Sequence, residues 1–533
     1  MKKVKLYDTT LRDGAQGENV SFSLEDKLRI AQKLDALGIH YIEGGWPGSN
    51  PKDAGFFKEV KKIALKNAQV TAFGSTRRAR QKAEQDNNIK HLLKAETEVI
   101  TIFGKSWDFQ VSDILRVGLE ENLMMISDSV SYLKKQGRRV FYDAEHFFDG
   151  FCANKDYALK TLAVAQDAGA DYIVLCETNG GMISSEIAKI VAYVKSKIKI
   201  SLGIHTHNDC GMAVSNAITA VEQGCVQVQG TINGYGERCG NADLCVIIPN
   251  LKLKLGIDCI SDENLKKLAE TAHYIAEIAN MIPQNNQPFV GKSAFAHKGG
   301  VHIDGVIKNA KSYEQIEPGL VGNRRRFLLS ELSGKTNILV KAKELNLDLN
   351  KNDPQTKKIL ELLQDLENQG YQFEAAGSSF ELLMNKAMGK YKDFFKLENF
   401  SIVIEKKGKE ITSKASVQIR VNEAKKHSTA DGDGPVNALD NALRKALTDF
   451  YPVLAEMHLS DFKVRVLNAK EGTAAKVRVL IQSQDKRDTW DSVGVSENII
   501  EASWQALRDS MEYKLWKEKV VRYKPQAASR EML

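Results

Sequence analysis

The sequence predicts an α/β protein: a closed (β/α)8 barrel, then a mostly helical region, then an α+β domain with an internal repeat. Three observations predict this. Eight short β-prone runs alternate with amphipathic helical stretches over roughly the first 260 residues. The alternation stops near residue 260. From about residue 395, two segments of matching pattern follow each other about 60 residues apart.

The predicted strands are Val4–Asp8, Tyr41–Gly44, Val70–Phe73, Val99–Phe103, Val140–Asp143, Tyr172–Cys176, Ile200–His205 and Val226–Thr231. A helix-like segment follows each one. Leu24–Gly38 is an example, with Ser23 as N-cap and Gly38 as its stop. Counting strands does not prove closure, so an open doubly wound sheet is the alternative to the TIM barrel. Residues 1–260 are assigned to the barrel, 261–395 to helical linker subdomains, and 396–533 to a C-terminal domain. The linker region contains predicted helices at Asn264–Asn280 and Thr356–Glu367, separated by a Gly/Pro-containing stretch near Gln284–Gly305. In the third region Val417–Val421 and Val477–Ile481 alternate like strands. Gly434 then precedes a helix at Val436–Leu447, and Gly494 precedes one at Glu497–Met511. Ala442, Ala446 and Leu447 match Ala502, Ala506 and Leu507 at one offset, which gives two β-β-α-like repeats. No catalytic polar cluster is evident there, so a ligand-sensing or dimerising role is expected.

At 533 residues the chain exceeds one ordinary core. It is 43% hydrophobic and 27% charged, the composition of a globular protein, and no stretch has the length of a membrane span. Met1–Lys5 leads into a strand and not an apolar signal core, so no export signal is expected. The 7 cysteines lack CxxC spacing, which points to free thiols in a reducing compartment, the cytoplasm. Cys176, Cys210, Cys239 and Cys245 are read as packing residues. A net charge of +7 does not call for nucleic acid, and Arg324–Arg326 reads as a solvated linker.

In a barrel, polar residues just past each strand collect at one mouth. Arg12, Asp13 and Gln16 follow the first strand and Glu43 the second. Glu145 follows the fifth, and Glu177 and Thr178 the sixth. His205 and His207 close the seventh, and Asn241 lies in the loop after the eighth. A strand has a side-chain period of two, so His205 and His207 share a face and can clamp one divalent metal. Asp13 supplies a carboxylate if the first and seventh strands end together, and Asn241 can add an amide oxygen. Mixed N/O ligation does not choose between Mg, Mn and Zn. Open positions on such an ion suit a 2-oxo acid that chelates through adjacent oxygens. Arg12 beside it suits oxygen that gains negative charge. Gly230–Gly240 has GxGxxxG spacing and opens no new βαβ unit, so it is read as a tight turn and not a dinucleotide site.

Two segments resemble signatures of the α-isopropylmalate synthase and homocitrate synthase family: Leu11–Gln16 followed by Lys27, and Leu202–Ser215. The wider group includes the HMG-CoA lyases, which share a metal-bearing TIM barrel. Gly432–Leu439 looks like part of the regulatory dimer domain found in some of these synthases and absent from the lyases. Tyr41–Asp53 looks most like the branch that uses pyruvate.

The resemblance implies condensation of acetyl-CoA with pyruvate on a route to isoleucine, with isoleucine as feedback inhibitor at the C-terminal domain and a homodimer. The alternative substrate is 2-oxoisovalerate. The implied metal ligands are Asp13, His205, His207 and Asn241. Arg12 would hold the keto-acid oxygen, Thr178 its carboxylate, and Glu145 would act near the acetyl methyl. Tyr142–Phe147 departs from the family pattern, and Asp143 in it is expected to line the keto-acid pocket together with Gln16. Ala296–Gly305 resembles the family's linker motif, whose catalytic histidine corresponds to His302, and Tyr313 matches its tyrosine. In the family both reach the neighbouring subunit's barrel, whereas by pattern alone they read as surface residues. Glu145 and His302 are the two candidates for the base. A lyase, and a metabolite-binding regulator without activity, are the remaining readings.

Overall fold

The computed structural model describes residues 3–328, 339, 354–467 and 474–523. It divides into two compact units. The first comprises 1–295 and 316–325, and the second 296–315 and 326–533.

The first unit is built on eight parallel strands. They are β1 (Lys5–Asp8), β2 (Tyr41–Gly45), β3 (Gln69–Ser75), β4 (Val99–Lys105), β5 (Arg139–Glu145), β6 (Tyr172–Glu177), β7 (Ser201–Thr206) and β8 (Gln227–Gly230). β1 pairs with β2 at Tyr7↔Tyr41 and with β8 at Leu6↔Val228, which closes the barrel and excludes the open sheet. Period-two alternation sorts the strand residues. Leu6, Ile42, Ile100, Tyr142 and Ile204 join the core shared with the surrounding helices. Tyr7, Tyr41, Val99 and Phe141 form a separate aromatic cluster. The residues that alternate with the outward set include Glu43, Thr71, Thr101, Asp143, His205, Gln227 and Gln229, all buried. The barrel centre is therefore aromatic in one layer and polar in the next.

Helix Leu24–Leu37 starts where its sequence says it should. Ser23 and Asp26 form a reciprocal capping box, and Gly38 ends the helix at φ 92°. The stretch predicted as one helix at Asn264–Asn280 is two, Asp262–Leu265 and Leu268–Ile278.

In the second unit, β9 (Ala296–His297) and β10 (Arg326–Phe327) pair in parallel. Arg326 thus sits half-buried in a strand and is not part of a solvated linker. Helices Pro354–Asn368 and Gly377–Ala387 share a core with Val493 and Val495. The repeat is β-β-β-α, one strand longer per copy than the pattern suggests. The first copy is β11 (Lys396–Lys407), β12 (Glu410–Val421), β13 (Ala424–Gly432) and helix Pro435–Leu447. The second is β14 (His458–Val466), β15 (Val477–Gln484), β16 (Thr489–Ser496) and helix Ile499–Tyr523. Both sheets are antiparallel and three-stranded. The matched residues Ala442, Ala446, Leu447, Ala502, Ala506 and Leu507 are all buried in their common core. Among the described residues no helix is long and apolar enough to cross a membrane.

Candidate active site at the barrel mouth

The loop after β1 is fixed from both ends. Asp8 accepts from the Thr10 amide and hydroxyl, both at 2.9 Å, and burial pushes its pKa up to about 7. The Thr10 hydroxyl accepts from the Ile232 amide at 2.9 Å, which ties this loop to the loop after β8. Arg12 is thereby held over the mouth. Its Nε donates to Glu43 Oε1 at 2.6 Å, and its guanidinium carbon lies 3.8 Å from the centre of the Phe73 ring. Glu43 also accepts from the Tyr7 hydroxyl at 2.5 Å. Burial disfavours the Arg12 charge, but Glu43 and Asp13 outweigh it and hold the guanidinium above its ordinary pKa.

Asp13, His205 and His207 converge. His205 Nε2 lies 3.3 Å from Asp13 Oδ2 and 3.3 Å from His207 Nε2. β7 ends at Thr206, so His207 is just past the strand, and it is held there by a β-bridge to Asn241. Burial pushes Asp13 up, yet Arg12 and His205 outweigh it and hold the carboxyl well below the usual range. Burial, with His205 beside it, pushes His207 down to about 3, so its imidazole is neutral at physiological pH.

His205 Nδ1 faces the Oε1 of Gln229 at 2.9 Å, so Nδ1 carries a proton; burial disfavours the charge of this ring, but Asp13 beside Nε2 outweighs it and raises the imidazole pKa. The Asn241 Oδ1 and His207 Nδ1 atoms are buried without a protein partner. Ligating atoms 3.3 Å apart match the edges of a polyhedron with ligand bonds of about 2.1 Å. These residues fit a divalent cation.

Beside them is a cleft of about 240 Å³. Of the residues singled out from the sequence, Arg12, Asp13, Gln16, Asp143, Glu145, Thr178, His205 and His207 line it. Thr178 accepts from the His146 amide at 2.9 Å, which leaves its own hydroxyl proton to donate. Glu145 is ion-paired with Lys105. Burial, reinforced by Glu43, raises Asp143 to about 7. Glu43 lies beneath Arg12 rather than on the cleft wall. Glu177 turns aside to accept from the Gly181 amide at 3.0 Å.

Sequence reasoning missed the rings of Trp46, Phe73 and Phe103, which wall the cleft and pack on one another with centroids 5.4 to 6.0 Å apart. It also missed Lys105, Gln229 and Arg238. Trp46 had a findable signal in the Tyr41–Asp53 segment. Lys27, buried, pairs with Asp53 at 2.5 Å, and Asp53 accepts from the Trp46 amide at 2.9 Å. Gly45, at φ 138°, permits this, since a Cβ there would collide with the Asp53 carboxylate. The glycines near Asn241 act similarly: a Cβ on Gly236, at φ 155°, would strike the Asn241 amide.

His302 and Tyr313 belong to the second unit, where their rings stack at 4.2 Å. Cys176 and Cys245 are buried, Cys176 against the cleft itself, whereas Cys210 and Cys239 are exposed.

Residues 3–275 match the HMGL-like family model, 289–371 the homocitrate synthase post-HMGL domain-like model, and 374–515 the LeuA allosteric (dimerisation) domain model. The chain is 56% identical over 523 residues to the (R)-citramalate synthase of Geobacter sulfurreducens, covering 98% of this chain and 99% of that one. It is 55% identical to the (R)-citramalate synthase of Aquifex aeolicus, covering 97% and 98%. Identity to the 2-isopropylmalate synthase of Methanocaldococcus jannaschii is 31%, covering 96% and 94%.

Proposed function

We propose, from the premise that this chain belongs to the HMGL-like family and within it to the (R)-citramalate synthases, that it is an acyltransferase joining acetyl-CoA to pyruvate. With one water consumed, the products are (R)-citramalate and CoA, on the route to isoleucine. The observation that carries this reading is end-to-end identity of 56% to a citramalate synthase against 31% to an isopropylmalate synthase.

A divalent cation held by Asp13, His205 and His207, with Asn241 Oδ1 completing the set, would supply Lewis acidity to a chelating 2-oxo acid. The remaining work falls to the chain. The guanidinium of Arg12, fixed by Glu43 and Phe73 and ion-paired with Asp13, faces the ketone oxygen as it becomes an alkoxide. The Thr178 hydroxyl and Gln16 hold the pyruvate carboxylate, and Asp143 lines the floor. A base, Glu145 or His302, takes a proton from the acetyl methyl. The resulting carbon attacks the ketone, and water then cleaves the thioester, releasing CoA. Trp46, Phe73 and Phe103 wall the cleft and would meet the side chain of the keto acid, where its size is read. A second cleft of about 190 Å³ shares Phe103 with the first, and its Arg78 and Leu115 suit the phosphates and thioester arm of CoA.

We also assign the chain three functional parts: a barrel over 1–260, linker subdomains over 261–395, and a regulatory dimer domain over 396–533. The enzyme acts as a cytoplasmic homodimer, in which His302 and Tyr313 serve the partner subunit's barrel and isoleucine binds the C-terminal domain. The dimerisation-domain match over 374–515 supports the dimer. CoA release from acetyl-CoA with a panel of 2-oxo acids tests the reaction. Pyruvate is expected to turn over fastest, and faster turnover of 2-oxoisovalerate would overturn the assignment.

A further inference from the structure

Gln229 joins the candidate metal cluster to the pocket acid, and nothing in the proposed chemistry uses it. It lies on β8 directly opposite His205 of β7 in the sheet register. Its Oε1 faces His205 Nδ1 at 2.9 Å, and its Nε2 donates to Asp143 Oδ1 on β5 at 3.2 Å. All three side chains are buried, with Gln229 at 0%, Asp143 at 3% and His205 at 5% exposure.

The orientation of the Gln229 amide sets the order of donors along this line. An amide has one donor end and one acceptor end. Asp143 takes the donor end, so the acceptor end must face His205. That acceptor requires a proton on Nδ1. An imidazole that ligates a cation is neutral and carries one ring proton, so with that proton on Nδ1 the lone pair offered to the cation is on Nε2, the atom that meets Asp13 and His207. If the amide were reversed, its oxygen would face a carboxyl oxygen and its NH2 would face His205, which favours the opposite tautomer.

We propose that Asp143 and Gln229 form a tautomer lock that presents His205 Nε2 as a metal ligand. Gln229 is a positioning residue, acting through His205 and touching no reacting atom. The inference rests on the metal reading above. It adds that cation affinity is set partly by a residue of β8 and by an acid across the barrel. Partners of this kind typically contribute about ten- to a hundredfold in metal affinity.

The test uses full-length, metal-stripped enzyme titrated with Mn²⁺ and followed by electron paramagnetic resonance. Long-range ¹H–¹⁵N spectra of histidine-labelled protein report the tautomer, and a thermal melt checks the fold. Gln229→Met keeps the length and removes the acceptor. It is expected to raise the Mn²⁺ Kd about ten- to a hundredfold and to lose the pure Nδ1–H signature at His205. Gln229→Glu keeps the acceptor and is expected to bind within about threefold of wild type. Asp143→Asn no longer dictates the amide's direction and is expected to give intermediate affinity with mixed tautomers. It carries the test if the methionine variant misfolds. Wild-type affinity in both Gln229→Met and Asp143→Asn overturns the lock, as does equal loss in Gln229→Glu and Gln229→Met. Failure of the wild type to bind Mn²⁺, with Asp13→Asn behaving identically, overturns the metal reading itself.

Discussion

The barrel mouth and the paired β-β-β-α repeats bury charge in opposite ways. At the mouth, Asp13, His205 and His207 crowd their potential ligand atoms together, and Asn241 Oδ1 and His207 Nδ1 are buried without protein partners. In the repeats the core is apolar, and its buried ionisable groups have partners. Lys514 lies 2.7 Å from Asp485 and 3.0 Å from Glu518, and Glu512 accepts from the Phe394 amide at 3.1 Å. The repeats leave Ser428 Oγ and Asp440 Oδ1 scattered and unpartnered, while the mouth gathers its open valences around one point. The contrast predicts that substitutions at the mouth cost activity and not stability, and that substitutions in the repeat core do the reverse.

The largest effect is expected for His207→Ala. Loss of a cation ligand should lower kcat by roughly a thousandfold or more, about 4 kcal/mol of barrier, while the melting temperature stays within a few degrees. Steady-state rates and calorimetry on one preparation check both halves. A large fall in melting temperature would mean that His207 is a structural residue.

The converse is Leu443→Ala, at a fully buried position of the helix Pro435–Leu447. It should destabilise the second unit by about 2–5 kcal/mol in urea unfolding. Its kcat measured without inhibitor should change little. Loss of activity in the folded variant would tie the two regions together more tightly than the contrast allows.

A smaller effect sharpens the account of selectivity. Phe103→Ala opens the ring wall and should improve kcat/KM for 2-oxoisovalerate relative to pyruvate by about tenfold, the scale of one or two methylenes. An unchanged ratio would remove the rings from the account of specificity.

The smallest effect is a pH dependence in the repeats. Burial raises the Glu512 carboxyl from 4.5 to about 7, in spite of the amides of Phe394 and Phe395. Between these values the folded chain keeps a proton that the unfolded chain has released, so stability falls as pH rises from about 4.5 to 7. Glu512→Gln should flatten that slope in urea unfolding across the window. An unaltered slope would assign it to another group.

The legible parts of the sequence were those whose signal is local. Each barrel strand is a short apolar run with period-two alternation, and the His205-Thr206-His207 spacing survives into the structure because the β-bridge to Asn241 extends the strand geometry by one residue. Helices of the repeat were visible because Ala442, Ala446 and Leu447 recur on a helical face. Strands β11, β13 and β14 escaped notice for a physical reason. In Lys396–Lys407 most positions are exposed and lysines stand at both ends, so the pattern is polar on the open face of a sheet. Within the candidate site, residue types at strand ends were readable but partner choice was not. Gln229 meets Asp143 across 86 residues of chain and Arg12 meets Glu43 across 31, contacts that only barrel closure creates. The register of His205 opposite Gln229 likewise depends on how β7 and β8 pair.

The central claim is that one divalent cation sits among Asp13, His205 and His207, beside Arg12, and receives a chelating 2-oxo acid. Anomalous diffraction at the manganese edge, from crystals soaked in Mn²⁺ and pyruvate, measures this directly. The account predicts a single strong peak within bonding distance of Asp13, His205 Nε2 and His207 Nε2, with pyruvate adjoining Arg12 and Thr178. A peak elsewhere in the barrel, or pyruvate bound with no peak at these three residues, would contradict it.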